Sequence, residues 1–194
     1  MTLTTEKILR GRPRSDEARK AILTAFLSSV KASGYSKISI DQLSKKSGVS
    51  RSTIYRWYKE KVDIALDAAA EIAQNAQLTP LSGNMEDDLE VHFKYTFETA
   101  NTLGQLFTAM MAEAQANPEF SDRVWKEFSL LRREHLCRVI TQDGKDSIHD
   151  NDDLELLMDM IFGALWYRMM SGHAPLDKKF STALIGKIKK LLEH

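Results

Sequence analysis

Arg51, Ser52, Thr53, Tyr55 and Arg56 stand within six residues of one another and offer guanidinium, hydroxyl and phenol groups. Such groups donate hydrogen bonds to phosphate oxygens and to the edges of bases. Ser47-Gly48-Val49-Ser50 lies directly before them. Glycine takes a left-handed backbone at little cost, so Gly48 suits the end of a helix. Ser50 suits the start of the next, Arg51 to Tyr58. The chemistry on offer is that of a polyanion-binding surface carried on a short helix.

Two helices joined by a tight turn would present that surface. Ser39 followed three residues later by Gln42 is a capping-box start. Ile40, Leu43 and Ser44 then share one face. The whole stretch Ser39 to Lys61 reads as a helix-turn-helix, whose second helix enters the major groove of DNA. A plain helical hairpin also uses Gly and Ser at its turn, but its second helix would carry aliphatic residues. Val49 and Ile54 are expected to face the small core.

A helix beginning near Ser15, with Ile22, Ala25, Phe26, Ser29 and Val30 on one face, supplies the third element of a domain. Before it, Arg10, Arg12 and Arg14 alternate with Gly11 and Pro13. That composition predicts an extended arm able to enter a minor groove, or a solvated terminus that orders on binding. Residues 1–60 hold 13 Lys+Arg against 5 Asp+Glu, and 61–194 hold 14 against 22. A total charge of zero thus conceals halves of +8 and −8, and the basic half coincides with the helix-turn-helix.

The 194 residues, 43% hydrophobic and 28% charged, describe a soluble globular chain. Cys137 is the single cysteine. An intrachain disulfide is excluded, and a packed, inert thiol is expected. With no signal-peptide pattern, and Glu155, Asp159 and Arg168 interrupting the most apolar run, a cytoplasmic location follows. No metal-ligand spacing, Gly-rich phosphate loop or Gly-x-Ser-x-Gly occurs, so neither an enzyme nor a cofactor is expected. Beyond residue 60 the chain reads as helical throughout: a fourth helix from Lys61, then Met85–Ala100, Gln105–Ala116 and Glu119–Thr141. Breaks are expected near Asn101–Gly104 and Asn117–Pro118. A polar loop separates these from Leu154–Ser171 and Lys178–Glu193. The fold class is all-α with about nine helices, divided into 1–60 and 61–194.

Ile40-x-x-Leu43-Ser44-x-x-Ser47-Gly48-Val49-Ser50-x-x-Thr53-Ile54-Tyr55-x-x-Tyr58-x-x-Lys61 resembles the signature of the TetR/AcrR family of bacterial transcriptional regulators. Gly163 to Arg168 and Pro175-Leu176 resemble one branch of its C-terminal domain. Ser44 and Ser47 replace common alanines, Trp57 replaces a frequent His or Tyr, and Glu60 stands where a Ser, Asn or Asp cap is usual. The resemblance implies that Arg51, Ser52 and Arg56 read base edges. It implies that Ser39, Ser50, Thr53, Tyr55, Trp57 and Lys61 clamp phosphates, with Arg10, Arg12 and Arg14 as the arm. It also implies a homodimer on a pseudo-palindromic operator, released when a ligand moves the fourth helix.

The C-terminal half supplies candidates for both partners. Leu157, Ile161 and Leu165, with Leu184, Ile188 and Leu191, are expected at the dimer interface. Phe93, Phe97, Phe107, Met110, Met111, Trp125, Phe128, Trp166, Tyr167 and Met170 suit a pocket for a small apolar or aromatic effector. His92, Glu113, His135 and His173 are candidates to orient it. A packed core would use the same apolar residues. The expected function is a sequence-specific DNA-binding regulator, a repressor released by an apolar ligand. The alternatives are a DNA-associated tether of the same fold, a ligand-independent regulator and an activator.

Overall fold

A computed structural model of the chain describes residues 12–142 and 151–192. All regular structure among these residues is helical. The chain divides into two compact units, Met1–Ala68 and Ala69–His194.

In the first unit α1 spans Arg12–Ser33, α2 Ile40–Ser47 and α3 Arg51–Trp57, and α4, Lys61–Gln77, begins here. A 3-10 turn at Tyr35–Lys37 joins α1 to α2. The caps of α2 and α3 are those expected. Ser39 Oγ accepts from Gln42 N–H at 3.2 Å while Gln42 Oε1 accepts from Ser39 N–H at 3.1 Å. Gly48 ends α2 with φ 71°, and its N–H reaches Ser44 O. Ser50 Oγ accepts from Thr53 N–H and opens α3. Ile22, Phe26, Leu43 and Ile54 are fully buried, and Val49 is half-buried beside the turn. The atypical start of α4 is closed by Asp63, whose Oδ2 accepts from Glu60 N–H at 2.9 Å. Asp67 on α4 receives both Nε and Nη2 of Arg19 on α1 and, at 2.5 Å, the Tyr58 hydroxyl. One carboxylate thus ties the first helix, the residue after α3 and the fourth helix together.

The extended arm is corrected in part. Arg12 and Arg14 lie on the helical backbone of α1, and Arg10 lies outside the described residues. Pro13 has no N–H to lose in a first helical turn, so it starts this helix rather than preventing it.

The second unit holds α5 (Met85–Ala116), α6 (Pro118–Val124), α7 (Leu130–Thr141), α8 (Asn151–Ser171) and α9 (Lys178–Leu192). Its core joins Leu89 and Phe93 of α5, Leu136 and Val139 of α7, Ile161 and Leu165 of α8 and Ile185 and Ile188 of α9. Arg133 of α7 clasps Glu155 and Asp159 of α8.

Two expectations fail here for identifiable reasons. Asn101–Gly104 does not break α5. Asn101 gives its side-chain amide to Leu176 O at 3.1 Å instead of capping. Thr108 folds its hydroxyl back onto Gly104 O. A Cβ on Gly104 would lie 3.8 Å from Met169, so the glycine faces α8 at ordinary contact distance. The expected helix Glu119–Thr141 is also not uniform, because Trp125–Ser129 forms a π-helical turn in which Leu130 N–H reaches Trp125 O. Phe120, Val124, Phe128 and Arg132 recur every four residues. In an α-helix that spacing drifts by about 40° per step. One wide turn takes up part of the drift, so the three buried residues and Arg132 turn toward the same side.

A Cβ on Gly48 would have no neighbouring atom within 4 Å, so a side chain there meets only backbone strain. Gly48→Ala is expected to cost about 1 kcal/mol of unfolding free energy, with Gly48→Asn costing less. Chemical denaturation of the three proteins measures the difference.

Candidate DNA interface and ligand cavity

Arg51, Ser52, Tyr55 and Arg56 occupy one exposed face of α3, at positions one, four and five residues apart, while Ile54 is turned fully inward. Tyr55 is 58% exposed, high for an aromatic residue with a core available beside it. Arg51 is held to Asp41 at 2.9 Å, but both side chains are largely solvated. Such a pair contributes little and is readily exchanged for a phosphate or base. The Arg56 guanidinium lies 6.0 Å from the Trp57 ring.

The residues expected to clamp phosphates fall into two groups. Tyr55 and Trp57 offer their polar ends without a local hydrogen-bond partner among the described residues. Ser39, Ser50, Thr53 and Lys61 are already engaged inside the domain. Ser39 and Ser50 are helix caps, and the Thr53 hydroxyl lies 2.9 Å from Ser50 Oγ. Lys61 Nζ donates to Tyr35 O at 3.1 Å and Ile38 O at 3.3 Å and sits over the Tyr35 ring. Burial lowers its pKa. Lys61 therefore fastens the turn after α1, a role the motif did not reveal. Lys45 and Lys46, exposed in the last turn of α2, belong to no motif position and add to the charge of this unit.

The second unit contains a cavity of about 390 Å³. Ile72, Ala73 and Ala76 of α4 and the 79–82 segment form one wall, with α5, α7 and α8 forming the others. Val91 and Tyr95 both line it and are solvent-exposed, so it opens past them. Of the ten pocket candidates, Phe107, Phe128 and Trp166 line it. Phe93, Phe97 and Met110 are buried in the packed interior instead. Trp125, Tyr167 and Met170 are exposed, and Met111, half-buried, is not on the wall. The reason is helical phase. Core residues 89 and 93 and cavity residues 88 and 92 are adjacent in sequence, hence about 100° apart around α5. Composition does not distinguish the two faces.

Polar groups gather on the cavity wall. His92 and His135 line it and stack at 5.2 Å, whereas Glu113 and His173 do not reach it. Burial, helped by the charge of Arg132 and by His135, lowers His92 to about 3, and its Nε2 has no hydrogen-bond partner among the described residues. His135 is also lowered, by burial and then by Arg138. Burial pulls Arg132 down to about 10. Burial pushes the Asp88 carboxyl up, but hydrogen bonds from Gln142, Ser82 and Gly83 outweigh it and hold the group low. Arg132 and Asp88 were absent from the expected site, because charges within the runs Glu86-Asp87-Asp88 and Arg132-Arg133-Glu134 of a helical sequence read as solvated surface.

Four of the six expected dimer residues are corrected as well. Leu157, Ile161, Leu165 and Ile188 belong to the core of the second unit, and Leu184 is half-buried. Leu191 is exposed. On α8 the uncovered apolar side chains are Leu156, Met160, Tyr167 and Met170, with Gly163 among them. Their spacing of four, three, four and three gives a continuous stripe.

Residues 79–188 match the tetracyclin repressor-like C-terminal domain, and residues 35–80 match the Cro/C1-type HTH DNA-binding domain. The chain is 25% identical over 166 residues to the HTH-type transcriptional regulator YdeS of Bacillus subtilis (strain 168), covering 83% of this chain and 82% of that one. Its fold is similar to that of the TetR family transcription regulator SCO0332, with TM-score 0.74, 23% identity and coverage of 91% and 97%. It is also similar to a transcriptional regulator from Saccharomonospora viridis in complex with choline, with TM-score 0.61, 18% identity and coverage of 92% and 97%.

Unfolding lets His92 regain its ordinary pKa of 6.5, whereas the folded protein holds it near 3. Between those values the unfolded chain binds the additional proton, so stability is retained above pH 6.5 and lost as pH falls. Acidification from pH 7 to 5 is expected to remove about 2 kcal/mol through this group. Urea unfolding of the wild type and His92→Gln at both pH values measures it, and the variant is expected to lose less.

Proposed function

The chain belongs to the tetracyclin repressor-like family of DNA-binding transcriptional regulators, and from that premise we propose that it is a repressor released by a small molecule held in the cavity of its second unit. The observation that carries the DNA-binding half is the exposed face of α3. Arg51, Ser52, Tyr55 and Arg56 project from a helix capped at Ser50 and anchored by Ile54. Arg51 and Arg56 are assigned to base edges, where a bidentate arginine–guanine pair contributes about 1–3 kcal/mol of discrimination. Ser52 is assigned beside them. Tyr55 and Trp57 take phosphates, and Ser39, Ser50 and Thr53, engaged in the caps, support that contact by fixing the helix starts.

The cavity supports the sensing half. It is of a size used for small ligands and presents a mainly apolar wall with a few polar groups. α4 carries Asp67 into the carboxylate network of the first unit and Ile72, Ala73 and Ala76 onto the cavity wall. That helix is our route from ligand to DNA. The ligand must bind the DNA-incompetent state more tightly, since equal binding shifts nothing.

A homodimer is part of this reading, because one short helix recognises too few bases alone. Its interface is assigned to the uncovered stripe of Leu156, Met160, Gly163, Tyr167 and Met170.

Two measurements test this reading. With a duplex selected from a random pool, Arg51→Ala is expected to relax base preference at one position in each half-site, by roughly 10-fold or more; unchanged preference removes Arg51 from the base readers. Met160→Glu is expected to convert a dimer to a monomer in sedimentation equilibrium, while the buried-face change Leu157→Ala chiefly lowers stability.

A further inference from the structure

Arg132 is a charged side chain in a cavity whose surfaces are mostly apolar. Its guanidinium lies 5.2 Å from the centre of the Phe128 ring and 5.1 Å from that of Phe162. Among the described residues it has no hydrogen bond and no carboxylate partner. The neighbouring Arg133 takes Glu155 and Asp159. Asp88, the acidic group of the same cavity, is already bonded through both oxygens to Ser82 N–H at 3.1 and 3.0 Å. Burial leaves the Arg132 guanidinium protonated at neutral pH even with its pKa pulled to about 10.

Arg132 is half-buried; a cation drawn part-way out of water without a counter-charge is costly, and a carboxylate supplies both the charge and two parallel hydrogen bonds. His92 adds a second polar group on this wall, neutral at pH 7 and with Nε2 unpartnered. The remaining wall is suited to carbon. Phe107 and Phe128 stack at 5.5 Å, and Leu165, Trp166 and Met169 extend the apolar surface.

We infer that the cavity takes an amphipathic monoanion, a carboxylate on an alkyl or aryl body, with its head group on Arg132 and its body against Phe107, Phe128 and Trp166. This deepens the proposed sensing role and rests on the cavity being the ligand site. A quaternary ammonium would meet the like charge of Arg132, and a neutral hydrocarbon would leave that charge uncompensated. A ligand of this kind replaces the purely apolar one expected from composition.

The test uses the full chain and three probes of one chain length below their micellar concentrations: decanoate, 1-decanol and decyltrimethylammonium. Calorimetric or tryptophan-fluorescence titration is expected to rank decanoate first. Arg132→Met keeps an unbranched stem and removes the guanidinium, and is expected to weaken decanoate by roughly 10- to 100-fold while leaving decanol unchanged. Equal binding of decanoate and decanol to the wild type, tighter binding of the ammonium, no binding of any probe, or an unchanged decanoate affinity in Arg132→Met each overturns the inference. The wild-type ranking stands as a test even if the variant does not fold. Operator affinity is measured separately with each probe. Decanoate that binds through Arg132 without altering operator affinity upholds the anion site and removes the sensing role. Decanol that releases DNA equally from wild type and Arg132→Met upholds the sensing role and overturns the anion site.

Discussion

Helices of eight and seven residues are too short to be stable alone, and α2 and α3 depend on closed ends and buried inner faces. Ser39 and Gln42 close one end, Gly48 turns the chain and Ser50 opens the next helix. Leu43 and Ile54 fix the pair to the core. The constraint has a functional consequence. With caps and inner face providing the stability, Arg51, Ser52, Tyr55 and Arg56 are not required for it and can face outward. Asp67 extends the same economy of groups, since one carboxylate holds Arg19, Tyr58 and its own helix in register.

The second unit follows a different logic. Its core is apolar and continuous across α5, α7, α8 and α9. The cavity runs along the next face of α5, one residue out of phase with that core. Burial there disfavours the protonated forms of His92 and His135 and lowers the pKa of each. The proposed ligand would satisfy those groups through its polar end and the rest of the wall through its apolar body. The π-helical turn at Trp125–Ser129 contributes by keeping Phe128 and Arg132 on neighbouring positions of the wall.

The sequence was informative where signals are local. The Ser39–Gln42 box, the Gly48 turn and the Ser50 cap each involve residues within four positions, and each forms as expected. It was misleading where a tertiary contact decides. Asn101 and Gly104 look like a break, yet α5 continues because Asn101 bonds Leu176 and Gly104 faces Met169. Leu157 and Ile161 look like an interface stripe, but they face inward and Leu156 and Met160 face outward. That difference is one residue of helical phase, which an evenly apolar helix does not encode. Lys61 illustrates the same limit. Its charge and position suit a phosphate, whereas its two carbonyl partners lie 23 and 26 residues earlier in the chain.

Contact between the outer face of α3 and DNA is the premise on which both the regulatory role and the proposed sensing role depend. Amide hydrogen exchange, followed by mass spectrometry on the full chain with and without a selected duplex, measures it directly. Slowed exchange centred on residues 39–58 is the predicted result. Slowed exchange confined to residues 69–192, with residues 39–58 unchanged at saturating duplex, would contradict it.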